Sequence, residues 1–328
     1  MVLAYSTEQT KGRMFALFWA IFNLGAVLGN AIDLGLVYDS TANTVSNSTY
    51  AAFLAIAGCG SFIPLFLVDP GTMLRADGTR VVIPIHPSWW SELKGMFHIL
   101  RVDLYIPLLF PLFLASNWQF NDFNGALFTL RTRALNAMLY YLFQVLGASA
   151  FGYAMDLKSF RRKNRAWVGL GFVAVLVMVV WGCSYDFQKG YTRADIGVVE
   201  RIDFKSPGYA RHVVLYIWMG IMDSIWQNYA YWLMGAMSNE APQLAYLIGF
   251  YKAIQSAGAA GVSAMDNDLV PYMTMLAVSW AICAAALVFI APLIHFRIFE
   301  HSEVLGIIDN DGSVETEVGD SEKVKSEA

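Results

Sequence analysis

The chain consists largely of apolar runs that are long enough to cross a lipid bilayer as helices. About 20 residues, rising 1.5 Å each, span a hydrocarbon core roughly 30 Å thick. Inside that core the backbone must satisfy its own hydrogen bonds, which a helix does and an irregular segment does not. We therefore predict an all-α polytopic membrane protein with about eight transmembrane helices. These helices cover residues 14–36, 51–68, 102–124, 134–155, 167–185, 213–237, 244–265 and 273–296.

Composition agrees with this class of protein. Hydrophobic residues make up 57% of the 328 residues and charged residues only 15%, whereas a soluble domain carries about a quarter charged residues. The formal net charge of −4 arises partly in the acidic C-terminal tail, and no basic face for nucleic acid is present. We expect the lipid bilayer to be the main partner and expect no nucleic-acid partner.

Catalytic and metal-binding patterns are missing from the sequence. The five histidines have no spacing that holds a metal ion, and neither a P-loop nor a nucleophile elbow occurs. The cysteines Cys59, Cys183 and Cys283 are too far apart for a disulfide framework or a zinc site. We expect no enzymatic activity, no cofactor and no bound metal.

Polar stretches divide the chain into four regions: two spans in 1–68, a cytosolic connection in 69–101, a six-helix bundle in 102–297 and an acidic tail in 298–328. The connection contains Trp89, Trp90 and Phe97, which favour a short amphipathic helix lying at the membrane surface. The tail has few aromatic residues and is predicted to be disordered.

The distribution of lysine and arginine predicts the orientation in the membrane. The densest positive cluster, residues 158–165, lies between the fourth and fifth spans and is expected in the cytosol. Alternation of the spans then places both termini in the cytosol. The segment Asn47-Ser48-Thr49 falls on the opposite side, where Asn47 is a candidate for N-glycosylation.

Helix packing has one clear signal in the first span. Gly25 and Gly29 form a G-x-x-x-G step, which lets a second helix approach closely. Asn23 and Asn30 are seven residues apart and lie on one polar stripe of the same helix. We expect this helix to pack against protein through that face.

Ionisable side chains deep in a span are costly and normally face the interior of a bundle. Asp223 lies inside the sixth span with Gln227 and Asn228 close by, and Lys252 lies inside the seventh span near Gln255. These two spans are antiparallel, so Asp223 and Lys252 are candidates for a buried pair. Two interpretations remain open: a static ion pair that fixes packing, or a pathway for a solute or proton.

The third span contains a second polar patch. Only thirteen residues separate Asp103 from Asn117, too few to cross a core of roughly 30 Å. The helix must therefore continue irregularly to Asn124. Because irregular backbone at this depth must face protein or water, Asn121 and Asn124 are candidate cavity-lining residues.

The connection between the fourth and fifth spans contains Gly152, Asp156, Arg161 and Arg162 in the segment GYAMDLKSFRRKNR. This segment resembles the G-x-x-x-D-x-x-x-R-R/K signature of the major facilitator superfamily, with one extra residue before the arginine pair. The segments FNDFNGALFTLRTRALN and YSTEQTKGRMFALFWAIFNLGAVLG resemble the Unc-93-like branch of that superfamily, including its fungal members.

The resemblance implies a twelve-helix carrier fold, of which the eight spans correspond to helices five to twelve. Residues 1–68 would then be the remnant of an N-terminal bundle without its first four helices. It also implies transport of a small solute or ion by alternating access, with the motif at Asp156 acting as a cytosolic latch. The alternative is a non-transporting subunit that regulates an ion channel or escorts a receptor, with a membrane protein as partner.

Overall fold

The computed structural model describes residues 11–39, 47–66, 89–118, 123–157, 160–238 and 241–299. Within these ranges the protein is all-α, apart from one isolated bridge between Phe128 and Ile202. The helices are α1 (Lys11–Val37), α2 (Asn47–Phe62), α3 (Trp89–Val102), α4 (Phe110–Ala115), α5 (Phe123–Leu127), α6 (Leu130–Met155), α7 (Arg162–Gln188), α8 (Tyr209–Met237), α9 (Ala241–Asn267) and α10 (Tyr272–Arg297). Short 3-10 turns cover Ile63–Phe66, Ile106–Leu109 and Arg193–Asp195.

Among the described residues each predicted span contains helical structure, the third only as short segments, and most of the long helices extend a few residues beyond the apolar run. Among the described residues, four helices are long and apolar enough to cross a membrane, namely α1, α6, α7 and α10. A fifth span results if two shorter helical segments, Leu93–Val102 and Ile106–Ala115, are counted as one. The helices α8 and α9 are equally long, but each has an ionisable side chain near its middle, Asp223 in α8 and Lys252 in α9.

The polar side chains in the second half of α8 are explained by the burial of that half. It packs against α1, α6, α7 and α9, and every residue from Met222 to Met237 is buried. A helix surrounded by protein does not need the apolar surface that lipid requires. Asp223, Gln227 and Asn228 therefore lie where they can find hydrogen-bond partners.

The helices α1 and α6 run antiparallel along their whole length. At one end the backbone N–H of Arg13 donates to Asp156 Oδ2 over 2.7 Å. At the other end Arg131 Nη1 donates to the carbonyl of Tyr38 over 3.1 Å. We call these two ends of the bundle the Asp156 end and the Arg131 end.

The third span begins with a sharp bend next to a buried ion pair. The axis turns by 104° between Leu93–Val102 and Ile106–Ala115, so α3 runs across the end of the bundle. Asp103 lies at this bend, and its carboxylate accepts a hydrogen bond from Arg297 Nε over 2.7 Å. Their side chains are only 4% and 6% exposed. The pair joins the start of the third span to the end of α10.

The amphipathic helix predicted around Trp89 is present as α3. Ile99 is buried against the bundle, whereas Trp90 and Phe97 are more than half exposed. This arrangement suits a helix that lies at the membrane surface with one face on the protein.

The close helix crossing predicted at Gly25 and Gly29 is only half right. A Cβ at Gly29 would contact Phe53 of α2 at 3.2 Å, but one at Gly25 would meet no described atom within 4 Å. The tighter crossings lie elsewhere: a Cβ at Gly220 would come within 2.6 Å of the Tyr140 carbonyl oxygen, and one at Gly258 would collide with the carbonyl oxygen of Leu114. The reason is that α1 packs on α6 through a face that does not include Gly25.

At the Arg131 end, Asp203 fixes the connection between α7 and α8. Its carboxylate accepts hydrogen bonds from Arg131 Nε over 2.7 Å and from Thr129 Oγ1 over 2.9 Å. Burial alone would raise the pKa of Asp203, but these bonds and one from the Lys205 backbone N–H lower it to about 2. The charged form of Asp203 therefore holds this connection.

Candidate functional site

A network of buried polar side chains crosses the interior of the bundle and begins at Asp223. The Oδ2 atom of Asp223 accepts hydrogen bonds from Tyr140 Oη over 3.1 Å and from Gln144 Nε2 over 3.0 Å, both on α6. The Oδ1 atom accepts one from Gln227 Nε2, one turn further along α8, over 2.9 Å. Asp223 is 8% exposed. The buried carboxylate is thus surrounded by donors, as its charge requires.

Gln227 connects the polar network to α9. Its Oε1 atom accepts hydrogen bonds from Gln255 Nε2 over 3.0 Å and from Tyr251 Oη over 3.3 Å. Gln255 Nε2 also lies 3.0 Å from Asn117 Oδ1, just beyond the end of α4. Four of the sequence-predicted residues, Asp223, Gln227, Gln255 and Lys252, are therefore in one hydrogen-bonded network.

Lys252 occupies the far end of this network. Its Nζ atom donates to Gln255 Oε1 over 2.7 Å and lies 5.2 Å from the centre of the Tyr251 ring. The predicted buried ion pair with Asp223 is wrong in its geometry, because Lys252 is exposed and reaches Asp223 only through Gln255 and Gln227. The network therefore leads from a buried carboxylate to an exposed ammonium group.

The remaining candidates lie outside this network. Asn228 donates from Nδ2 to the carbonyl of Ala148 over 2.9 Å and so clamps α8 onto α6. Asn124 accepts from Asn136 Nδ2 over 2.8 Å near the Arg131 end. Asn121 lies outside the described residues. The predicted interruption of the third span is present, since α4 ends at Ala115 and α5 begins at Phe123.

Four members of the network were not among the sequence-predicted site residues: Tyr140, Gln144, Tyr251 and Asn117. Gln144 carried a usable signal, because an amide in the middle of the apolar fourth span is as unusual as Gln227 in the sixth. Tyrosine in a span is common and gives no such signal. Asn117 reaches the network from the segment that follows the end of α4 at Ala115, and the sequence gives no sign of this contact.

Asn23 of α1 is one more polar side chain at about the height of Asp223. The rings of Phe15 and Tyr231 stack with centroids 4.1 Å apart. Because α1 and α8 run in opposite directions, Asn23 then lies at about the height of Asp223, eight residues from each contact. Asn23 is 1% exposed, and its Oδ1 atom has no hydrogen-bond partner among the described residues.

The predicted latch motif lies at the Asp156 end. The carbonyl of Gly152 accepts the backbone N–H of Asp156 over 3.3 Å, and the Asp156 carboxylate holds the start of α1. Arg161 directly precedes α7, and the buried Arg162 is its first residue. Arg165 Nη1 donates to the carbonyl of Met155 over 2.6 Å. The motif thus joins three helices, α1, α6 and α7.

The structure also bears on metal binding and on the position of Asn47. Among the described residues, no group of three or more His, Cys, Asp and Glu side chains is placed to bind a metal ion. Asn47 is exposed at the first residue of α2. Its glycosylation and the cytosolic side of the Asp156 end stay predictions.

Comparison with known proteins places the chain among membrane proteins. It is 41% identical to a UNC93-like protein of Schizosaccharomyces pombe over 91% of this chain and 60% of the relative. It is 34% identical to UNC93-like protein 1 of Arabidopsis thaliana over 91% of this chain and 66% of the relative. An uncharacterized membrane protein of S. pombe is 28% identical over 87% of this chain and 60% of the relative.

The chain therefore spans about 60% to 66% of the length of these relatives. No protein-family model matches it, and no solved structure matches it. The alignments include both a fungal and a plant protein and cover nine-tenths of the chain in each. On this evidence the chain belongs to the UNC93-like family of membrane proteins.

Proposed function

We propose that this protein is a carrier of the major facilitator type, which moves a small polar solute or an ion across the membrane by alternating access. The observation that carries the proposal is the hydrogen-bonded network from the buried Asp223 to the exposed Lys252. Polar networks of this kind in membrane proteins mark pathways for solutes or protons.

The free-energy cost of a buried charge argues that the network does more than stabilise helix packing. A charged side chain at the centre of a bilayer costs about 2.5–3.5 kcal/mol on insertion scales and more in simulations. A static pair would offset that cost by direct contact between Asp223 and Lys252. Instead Asp223 is linked to Lys252 by two amides, whose donors and acceptors can be exchanged for those of a solute. The network is therefore suited to binding that is reversible.

The chemistry of the network limits the cargo. Asp223 offers a carboxylate to a cation or to a hydrogen-bond donor, and Lys252 offers an ammonium group to an anionic or carbonyl oxygen. Gln227 and Gln255 can donate and accept. A small solute with both kinds of group, or a proton relayed along the hydroxyls and Asp223, fits this arrangement.

The test uses the full-length protein in proteoliposomes, with proton, sodium and potassium fluxes as the probes. Asp223→Asn keeps the shape of the side chain and removes its charge, so we expect flux to fall by about tenfold or more, the effect of 1.4 kcal/mol. Tyr229→Phe is the matched control, because this buried hydroxyl on the same helix donates to the Ala166 carbonyl outside the network. Equal flux in both variants would contradict the carrier proposal.

A second function is favoured by the surface of α2. This helix and the turn after it leave Leu54, Leu65 and Phe66 between 76% and 84% exposed. A non-transporting subunit that regulates or escorts another membrane protein would use such a face for contact. A photo-crosslinker at Leu54 would then capture a stoichiometric protein partner, whereas one at Val288 of α10, which is 72% exposed, would not. Capture at neither position, together with flux that depends on Asp223, supports the carrier.

A further inference from the structure

A groove of about 710 Å³ lies between α7 and α8, on the side of the bundle away from the polar network. Its walls are apolar, and its lining includes Phe172, Val175 and Val179 of α7 and Val214 and Trp218 of α8. Each of these side chains is between 48% and 65% exposed. The volume lies within the range of about 300–1,000 Å³ that holds small ligands.

The groove is long enough for one lipid acyl chain. It extends along α7 from Phe172 to Asp186, fourteen residues, or roughly 21 Å at 1.5 Å per residue. One leaflet of a bilayer has a hydrocarbon depth of about 15 Å, half of the roughly 30 Å core. Because α7 is long and apolar enough to span the membrane, we expect this groove to open onto lipid tails.

The charged side chains that line the groove, Asp186 and Arg211, lie at one end of it, which we call its rim. Asp186 is 3.0 Å from Lys189 Nζ and 3.8 Å from an Arg211 guanidinium nitrogen. These side chains are 51% to 72% exposed. Two cations around one carboxylate leave a net positive rim at the Arg131 end, where α7 ends and α8 begins. A phosphate held there would have its acyl chain directed into the groove.

We propose that this groove is a specific site for a phospholipid, with one acyl chain between α7 and α8 and the phosphate on Arg211 and Lys189. The positive rim distinguishes this occupant from a sterol, whose single hydroxyl gains nothing from two cations. The site is independent of the polar network and of the carrier proposal.

A glycine in the groove wall allows a sharp test. A Cβ at Gly182 would meet no described atom within 4 Å, so Gly182→Leu fills the groove without a clash. Gly171 lies on the same helix, also has open space around it and does not line the groove. Gly171→Leu is therefore a matched control with the same change in helix propensity.

The full-length protein is placed in phosphatidylcholine nanodiscs that contain a phosphatidylcholine probe with a photoactivatable acyl chain. We expect labelling of peptides from α7 and α8 to fall by about fivefold in Gly182→Leu and to stay unchanged in Gly171→Leu. In Arg211→Ala with Lys189→Ala, labelling by this probe falls by about threefold or more, whereas labelling by a photoactivatable sterol does not change. Monodisperse elution of each variant confirms that it is folded.

Three results would overturn the proposal. Equal labelling of Gly182→Leu and the unchanged protein would show that the groove is not the site. Labelling spread evenly onto the exposed face of α10 around Val288 would show ordinary surrounding lipid only. A fall in phosphatidylcholine labelling in Gly182→Leu with none in the double charge variant would show that Arg211 and Lys189 do not hold the phosphate.

Discussion

Asp223 and Lys252 are connected through the side chains of Gln227 and Gln255 rather than by direct contact. The two amides let a buried negative charge and an exposed positive charge influence one another without closing the space between their helices. Removing either amide interrupts the connection while both charges remain.

Gln255→Leu is expected to reduce flux by about tenfold, because Lys252 and Gln227 both lose a hydrogen-bond partner, each worth roughly 1–3 kcal/mol. Flux in proteoliposomes measures the effect. Gln243→Leu is the control, since this buried glutamine on the same helix accepts from Ser238 outside the network. A loss of flux of the same size in both variants would mean that general damage to α9 explains the result.

Arg297→Met is expected to lower the free energy of unfolding by about 3–5 kcal/mol, because it leaves Asp103 charged, buried and without its guanidinium partner. The double variant Asp103→Leu with Arg297→Met removes both charges and should recover most of that loss. Denaturant unfolding in detergent measures the series. Simple addition of the two single effects would contradict the coupling.

Gly220→Ala is expected to destabilise the protein by about 1–3 kcal/mol, because the new methyl group would come within 2.6 Å of the Tyr140 carbonyl oxygen. The same change at Gly25, where space is open, is expected to be neutral or to stabilise by up to about 1 kcal/mol. Thermal unfolding compares the two. Equal effects would show that α6 and α8 do not cross as closely as the structure indicates.

Asp203→Asn is expected to destabilise the Arg131 end at pH 7 and still at pH 4.5. The pKa of Asp203 is lowered from 3.8 to about 2, so the stabilisation by its carboxylate is fully present above pH 3.8 and is lost as pH falls through about 2. The difference in melting temperature between the variant and the unchanged protein measures it. A difference that disappears already at pH 5 would contradict this prediction.

Sequence reasoning located the helices well because a membrane span needs a long apolar run, and that need is local. It also found Asp223, Gln227 and Gln255, because polar groups in an apolar run are conspicuous. It misjudged Lys252, since depth along a helix does not tell which way a side chain faces. The pair between Asp103 and Arg297 joins residues 194 positions apart, and no local pattern indicates it.

The contacts that hold α1 to α6 at both ends have a mechanical consequence. Arg13 and Tyr38 are 25 residues apart, roughly 38 Å at 1.5 Å per residue, so we expect α1 and α6 to move as one unit. Tyr140 and Gln144 belong to α6, whereas Asp223 is on the neighbouring helix. A movement that separates α6 from the Asp223 carboxylate would therefore displace α1 as well, and a displacement of α1 would reach Asp223 through the hydrogen bonds from Tyr140 and Gln144.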